Sequence, residues 1–222
     1  ITCRDWSSDV CSSDLDGSGL KQLGNFDASI LGWIGNSLAI RRNTQPYPAS
    51  GYAIEMLTLD GQLKPLFESS RMAFYNLAPD GGALLASDAQ GETGGSPQKG
   101  VNLLALDGSM THSFGLFNNL TASIWVSDWS NDGSQVAFAN LRRVYVAPRD
   151  GEPREVYIAD DTFVEPSFWQ MQFSPDQKTL LLNVYDGIPK FVTVSLETGQ
   201  AATLTWLGMK DDEQPTNFSW RP

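Results

Sequence analysis

A large apolar or aromatic residue, a short turn and an apolar run recur together along this chain, and a period of that kind constrains a fold more than any composition does. The pattern reads Trp33-Ile34-Gly35-Asn36-Ser37-Leu38-Ala39-Ile40, then Leu77-Ala78-Pro79-Asp80-Gly81-Gly82-Ala83-Leu84-Leu85. It returns as Trp129-Ser130-Asn131-Asp132-Gly133-Ser134-Gln135-Val136-Ala137-Phe138 and as Phe173-Ser174-Pro175-Asp176-Gln177-Lys178-Thr179-Leu180-Leu181-Leu182, and opens once more at Trp220-Arg221-Pro222. The anchors Trp33, Leu77, Trp129, Phe173 and Trp220 lie 44, 52, 44 and 47 positions apart. A second turn signal falls between them, at Asp16-Gly17, Asp60-Gly61, Asp107-Gly108, Asp150-Gly151 and, more weakly, Thr198-Gly199. Two interleaved turns per period imply a pair of hairpins per repeat.

That period is close to the roughly 40 to 45 residues of a four-stranded propeller blade. Asp-Gly and Pro-Asp-Gly suit tight hairpins, because Pro fixes one backbone angle and Gly admits a positive one. Trp169, Met171 and Phe173 alternate with Phe168, Gln170 and Gln172, the period of two that gives a strand distinguishable faces. Arg143-Val144-Tyr145-Val146 and Phe191-Val192-Thr193-Val194 have the β-branched and aromatic content of strands. No segment keeps a helical period. The expected fold is all-β, a β-propeller fragment with four four-stranded antiparallel blades at about 28–67, 72–114, 123–158 and 168–206. Residues 16–23 are expected to be the tail strand of a preceding blade and 216–222 the opening of a following one. Closure of the four blades into a small ring is the less favoured arrangement; an interior piece of a larger propeller is expected.

The segments Asp128-Trp129-Ser130-Asn131-Asp132-Gly133 and Phe173-Ser174-Pro175-Asp176 resemble the Trp-Ser-Pro-Asp-Gly signature of TolB-like propeller repeats, and the likeness covers nearly all of residues 16–222. The chain departs from it at Leu77 for the aromatic, Asn131 for the proline, Gln177 for the glycine, and in a first copy two residues shorter at Gly35-Asn36. The resemblance implies structural roles for the signature residues Trp33, Leu77, Asp80, Gly81, Trp129, Asp132, Gly133, Phe173, Pro175, Asp176 and Trp220. It implies a fold more securely than a task. Similar repeats occur in periplasmic TolB, in envelope lipoproteins and in the propeller preceding the hydrolase domain of prolyl-oligopeptidase-type serine peptidases.

At the N-terminus, Asp5-Trp6-Ser7-Ser8-Asp9-Val10-Cys11-Ser12-Ser13-Asp14-Leu15 resembles the translation of a common sequencing adapter, so residues 1–15 are set aside as non-native and 16–222 are taken as the propeller. Both cysteines, Cys3 and Cys11, lie in that segment. The remainder offers no thiolate nucleophile or thiolate metal ligand and fits either redox compartment. Setting aside Arg4, Asp5, Asp9 and Asp14 moves the net charge from −11 to −9, with 14 Lys and Arg against 23 Asp and Glu. Nucleic acid and anionic lipid, which are bound through clustered cations, are therefore disfavoured partners. No apolar run is long enough to suggest a membrane span.

Chemistry-bearing residues are sparse. The single histidine, His112, reads as an outer-strand residue, and no Gly-x-Ser-x-Gly elbow accompanies it. The stretch 91–100 is glycine-rich but lacks the Gly-Lys-Ser/Thr ending of a phosphate loop. With the 41–51 segment it makes two long second-to-third-strand loops, expected on one face. Asp160-Asp161 and Asp211-Asp212-Glu213 lack the spacing of a calcium loop and read as solvated charge. Asp88, Asp128 and Asp186 could serve a sugar-active site only if two met in the channel. The sequons at Asn119 and Asn217 matter only in a eukaryotic secretory setting. The sharpest binding hint is a pair of arginine doublets, Arg41-Arg42 and Arg142-Arg143, both expected just after a second strand, where their forks could take an acidic partner or a peptide carboxylate.

The expected role is a non-catalytic protein- or peptide-binding scaffold of the bacterial periplasm or cell envelope, without cofactor, metal or membrane insertion. The alternative is the substrate-gating propeller of a serine peptidase whose catalytic domain lies outside this sequence.

Overall fold

A computed structural model describes residues 9–12, 21–25, 28–44, 51–69, 72–88, 99–117, 126–140, 142–159, 167–185 and 189–204. They form strands and turns, with no helix among the described residues. Four antiparallel sheets of four strands follow in chain order. Blade 1 holds β3 (Ala28–Ile34), β4 (Ser37–Asn43), β5 (Tyr52–Thr58) and β6 (Leu63–Ser69), and blade 2 holds β7 (Met72–Leu77), β8 (Leu84–Asp88), β9 (Lys99–Leu104) and β10 (Met110–Phe117). Blade 3 holds β11 (Ser127–Trp129), β12 (Gln135–Ala139), β13 (Arg143–Pro148) and β14 (Arg154–Ile158), and blade 4 holds β15 (Ser167–Phe173), β16 (Thr179–Tyr185), β17 (Pro189–Ser195) and β18 (Ala201–Leu204). Each sheet is a meander in which sequential strands are neighbours. This is the blade architecture of a β-propeller.

A further two-stranded sheet precedes them, β1 (Asp9–Ser12) against β2 (Lys21–Asn25), with Asp9 opposite Asn25 and Ser12 opposite Lys21. The expected tail strand at 16–23 is thus seen from Lys21 onward, residues 16–20 lying outside the described residues, and Asp9–Ser12 of the adapter-like segment pairs with it. Ladder bonds use only backbone groups, so an edge position accepts almost any sequence.

The repeat signature is a hydrogen-bonded turn. In blade 3 the Ser130 N–H donates to Gln135 O at 3.0 Å and the Gly133 N–H to Ser130 O at 2.8 Å. The buried Ser130 hydroxyl donates to Asp132 Oδ1 at 2.7 Å and accepts from the Gln135 N–H at 2.9 Å. Ser174 repeats this in blade 4, donating to Asp176 and accepting from the Thr179 N–H at 3.0 Å. The Ser-x-Asp spacing is therefore a local device: a hydroxyl satisfies the turn's backbone, and a carboxylate satisfies the hydroxyl. Blade 2 has Ala78 in place of the serine and so lacks the hydroxyl bonds, but keeps the backbone bonds, Ala78 N–H to Ala83 O and Gly81 N–H to Ala78 O, both 2.8 Å, with the Gly82 N–H donating to Asp80 Oδ1.

Packing divides the chain into two compact units, 1–89 with 102–113, and 90–101 with 114–222. In the first, Ala39 and Ile54 of blade 1 pack with Leu77, Leu84, Ala86 and Leu104 of blade 2. In the second, Ala137, Val144, Val146 and Val156 of blade 3 pack with Met171, Phe173, Leu180, Leu182, Val192 and Val194 of blade 4. A blade buries its alternate side chains only against a neighbour, so these seams are the core. Each fully buried Leu or Val in them contributes about 1.5–3 kcal/mol.

Glycines are required where turns of one blade touch the last. Gly108 has φ +82°, and a Cβ there would lie 2.7 Å from the Phe67 ring. Gly81 has φ +69°, and its Cβ would lie 3.2 Å from Trp33 O.

Candidate functional site

In the second unit, the first strands of successive blades lie side by side. The Phe173 N–H of β15 donates to Asp128 Oδ2 of β11 at 2.8 Å, so the residue before one anchor holds the backbone of the next. The first unit uses the same geometry without a side chain: a Cβ on Gly32 would lie 3.0 Å from the Leu77 side chain. Burial pushes the Asp128 carboxyl up to about 6, with the hydrogen bonds from Phe173 and Trp129 N–H opposing that rise. An acid tuned toward neutrality is a recognised mark of a working site. Here its geometry is that of a blade-to-blade staple. Asp186 and the side chain of Asp88, the carboxylates named with it in the sequence, lie outside the described residues.

The same strand carries the most conspicuous departure from regular alternation. Between Phe168 and Gln170 the β15–β16 register shifts, leaving Trp169 as the extra residue of a bulge. The alternation expected Trp169 on one face with Met171 and Phe173. Instead Phe168 joins Met171 and Phe173 in the core, at 8%, 5% and 3% exposure, while Trp169 stands 46% exposed. Its indole stacks on Tyr185, the last residue of β16, with centroids 5.4 Å apart and planes 8° apart. Bulges re-aim single side chains and gather beside functional sites. Two adjacent aromatics, Phe168-Trp169, interrupting an alternating strand were the sequence signal for it. Register shifts recur in the first strands of blades 1 and 2, between Ile30 and Gly32 and between Met72 and Phe74.

The signature residues separate by context. Leu77, Trp129 and Phe173 are buried, and the Arg149 guanidinium lies 5.9 Å from the Trp129 ring centre. Trp33 is 52% exposed beside Ile30 at 55%. Its register partner is Leu38, whose cluster with Ile40 and Leu57 is completed by Leu23 of β2. Asp80 accepts from the Gly82 N–H at 2.8 Å, and Asp176 from the Lys178 N–H at 3.1 Å. Asp132 accepts from Ser130 and from both the N–H and hydroxyl of Ser134, which holds its carboxyl down at about 2. Gln177 occupies the position of Gly133 at φ +60°. With its amide nitrogen toward blade 3 it donates to Asp132 Oδ1 at 3.1 Å, an inter-blade bond that offsets part of the left-handed strain. Pro175 is exposed in the turn, and Trp220 lies outside the described residues.

The arginine doublets are not equivalent in place. Arg41-Arg42 lies within β4, a second strand, whereas Arg143 begins β13, a third strand, with Arg142 just before it. Arg42 makes a two-pronged pair with buried Glu55 of β5, Nε to Oε2 at 2.8 Å and Nη2 to Oε1 at 2.9 Å, which raises the guanidinium's own affinity for its proton. Arg143 pairs with Glu155 of β14 through a single contact, Nη1 to Oε2. Arg41 donates to Ser29 at 3.3 Å and lies 5.0 Å over the Tyr52 ring. The Arg142 carbonyl accepts from the Ala159 N–H at 2.7 Å. The forks of Arg42 and Arg143 are thus engaged by carboxylates of their own blades. The Arg-to-Glu separations, 13 and 12 residues, are what a hairpin drawn from the turn signals would bring opposite.

His112 is half-buried on β10, the outermost strand of its sheet. Among the described residues no three His, Cys, Asp or Glu gather as a metal site, and no helix is long and apolar enough to cross a membrane. The segments 91–98, 160–161 and 211–213, both sequons and the 45–50 loop tip lie outside the described residues.

No protein-family model and no curated protein matches this chain. Solved structures do. A TolB candidate from Agrobacterium tumefaciens aligns over 90% of this chain and 70% of its own, with 16% identity and a TM-score of 0.62. The periplasmic gluconolactonase of Pseudomonas aeruginosa aligns over 89% and 62%, with 17% identity and a TM-score of 0.57. An acylaminoacyl peptidase from Pyrococcus horikoshii aligns over 88% of this chain but 34% of its own, with 14% identity and a TM-score of 0.57. The chain therefore spans from a third to about 70% of the length of these structures. At such identities the likeness shows a shared propeller fold, which hosts enzymes and binding proteins alike.

Proposed function

We propose that this chain is a non-catalytic propeller of the bacterial cell envelope that binds a protein or peptide, in the manner of a TolB-like scaffold. The observation that carries the reading is the bulged first strand of blade 4, which turns Trp169 out of the core and sets it, half exposed, flat on Tyr185. Trp and Tyr present large contact areas at low cost in side-chain entropy and dominate protein-binding surfaces. Asp128, an acid whose proton affinity burial raises, is engaged in joining blades through the Phe173 N–H. The envelope location rests on likeness to a TolB candidate and to a periplasmic lactonase.

A panel of extended aromatic and aliphatic peptides, titrated while Trp fluorescence is followed, tests this directly. Binding that is lost in Trp169→Ala at an unchanged unfolding midpoint supports the scaffold reading. Turnover of gluconolactone or another lactone by the purified chain overturns it in favour of an enzyme. A second reading, the gating propeller of a serine peptidase, is favoured by the peptidase alignment, in which this chain matches only a third of the longer protein. A hydrolase region with a nucleophile elbow, encoded downstream in the same gene, decides for it.

A further inference from the structure

Five Asp-Gly pairs lie among the described residues, and the fold treats one of them differently. An aspartate followed by glycine is chemically vulnerable, because the small glycine lets its backbone nitrogen reach the side-chain carboxyl. In four turns that carboxylate is tied. Asp60 accepts from the Thr58 hydroxyl, Asp80 from the Gly82 N–H, Asp107 from the N–H and hydroxyl of Ser109, and Asp132 from Ser130 and Ser134. Among the described residues no hydrogen bond or ion pair holds the exposed Asp150 carboxylate. The attacking nitrogens do not differ in this way, so the carboxylate is what sets Asp150 apart. The N–H groups of Gly61, Gly81, Gly108 and Gly133 donate to turn carbonyls at 2.8–3.0 Å, and that of Gly151 to Pro148 O at 3.1 Å.

We propose that Asp150-Gly151 is a site of spontaneous isoaspartate formation in the folded protein. The Gly151 nitrogen attacks Asp150 Cγ, a C–N bond forms, and the side-chain hydroxyl departs as water with the nitrogen's proton. Water then adds to either carbonyl of the resulting succinimide, restoring aspartate or leaving isoaspartate. The composition is unchanged, and no oxidant or cofactor takes part. The tied carboxylates resist twice over, since a hydrogen bond fixes the side chain and also favours the ionised form, which carries no leaving hydroxyl; Asp107 and Asp132 are both held below the ordinary range in this way.

The consequence is local and directional. Isoaspartate routes the main chain through Cβ and lengthens the turn joining β13 to β14 by one methylene. Replacement of Gly151 by a bulkier residue is no escape, because a Cβ there would lie 2.9 Å from the Pro148 ring. The strand that follows carries Arg154, whose Nη2 donates to Leu196 O of blade 4 at 2.6 Å, and Glu155, which pairs with Arg143. Ageing at residue 150 therefore loosens the outer strand of blade 3 and its tie to blade 4.

The whole chain is aged in neutral buffer made with heavy-oxygen water, then digested and mapped. Isoaspartate appears as a peptide of shifted retention carrying one heavy oxygen. In the folded protein, conversion at Asp150 exceeds that at each of Asp60, Asp80, Asp107 and Asp132 by about tenfold, the factor that one charge-assisted hydrogen bond contributes. In denaturing urea the five sites converge. Asp150→Glu, which would need a larger and slower ring, abolishes conversion at that turn without moving the unfolding midpoint. Equal conversion at the five sites in the folded chain, or a slower rate at Asp150 than at any of the other four, overturns the proposal.

Discussion

Replacing Asp128 by asparagine keeps an oxygen for the Phe173 N–H and removes a charge that burial disfavours. In the folded chain the Asp128 carboxyl titrates at about 6 against an ordinary 3.8. That difference corresponds to about 3 kcal/mol, or about 2 kcal/mol once the partial exposure of the side chain is allowed for. The sign follows from proton binding. Between about pH 4 and pH 6 the folded state holds a proton that the unfolded state has released, so stability falls as pH rises through that window and is flat beyond it. Asp128→Asn has no such window. The variant should therefore exceed the wild type by about 2 kcal/mol at pH 8, and by well under 1 kcal/mol at pH 4. The assay is urea unfolding at several pH values, followed by tryptophan fluorescence, with buried Trp129 adjacent to the substitution. In thermal unfolding the pH 8 gain is about 2–4 °C per kcal/mol for a chain of this size. Asp107, Asp132 and Asp176 are held below the ordinary range by their turn hydrogen bonds, and their pH dependence is common to both proteins and cancels. A difference between variant and wild type that stays constant from pH 4 to pH 8 would refute the reasoning, as would a wild type that is the more stable at pH 8.

Gly108→Ala forces a Cβ into the Phe67 ring at a left-handed φ of +82°. It should cost about 2 kcal/mol or more, and Phe67→Leu should recover only the steric share, leaving about 1 kcal/mol of backbone strain visible in the unfolding midpoint. Arg42→Ala strands the buried Glu55 carboxylate and should cost about 2–3 kcal/mol, less than for a fully buried pair because Arg42 is itself 39% exposed. The double variant Arg42→Ala, Glu55→Gln should be milder than Arg42→Ala alone. A double variant worse than the sum of its parts would show that Glu55 holds the strand through something other than charge.

The parts of this fold legible in the sequence are those whose physics is local. Ser130 and Asp132, like Ser174 and Asp176, satisfy their own turn within a few residues, so the turn can be read without knowing what packs on it. The anchors Leu77 and Phe173 are legible for a related reason, since a large apolar side chain before such a turn falls on a seam between blades, and Trp129 is buried at the same position of its own repeat. Trp33 obeys the same spacing and yet stands exposed, because burial of an anchor depends on the neighbouring sheet rather than on the anchor. The candidate site is misplaced by strict alternation for a sharper reason. One inserted residue in a strand reverses the facing of every side chain on one side of it. A strict reading of Phe168 through Phe173 therefore sends Trp169 inward, and the bulge sends it out. The arginine doublets failed in the opposite way. Their similar places in two blades suggested a shared site for a carboxylate, but one doublet lies in a second strand and the other opens a third, and adjacent strand residues point to opposite faces. Arg41 and Arg42 accordingly part company, one over Tyr52 and one onto Glu55. Cross-strand register, more than residue identity, decides which polar groups in a blade remain available to a partner.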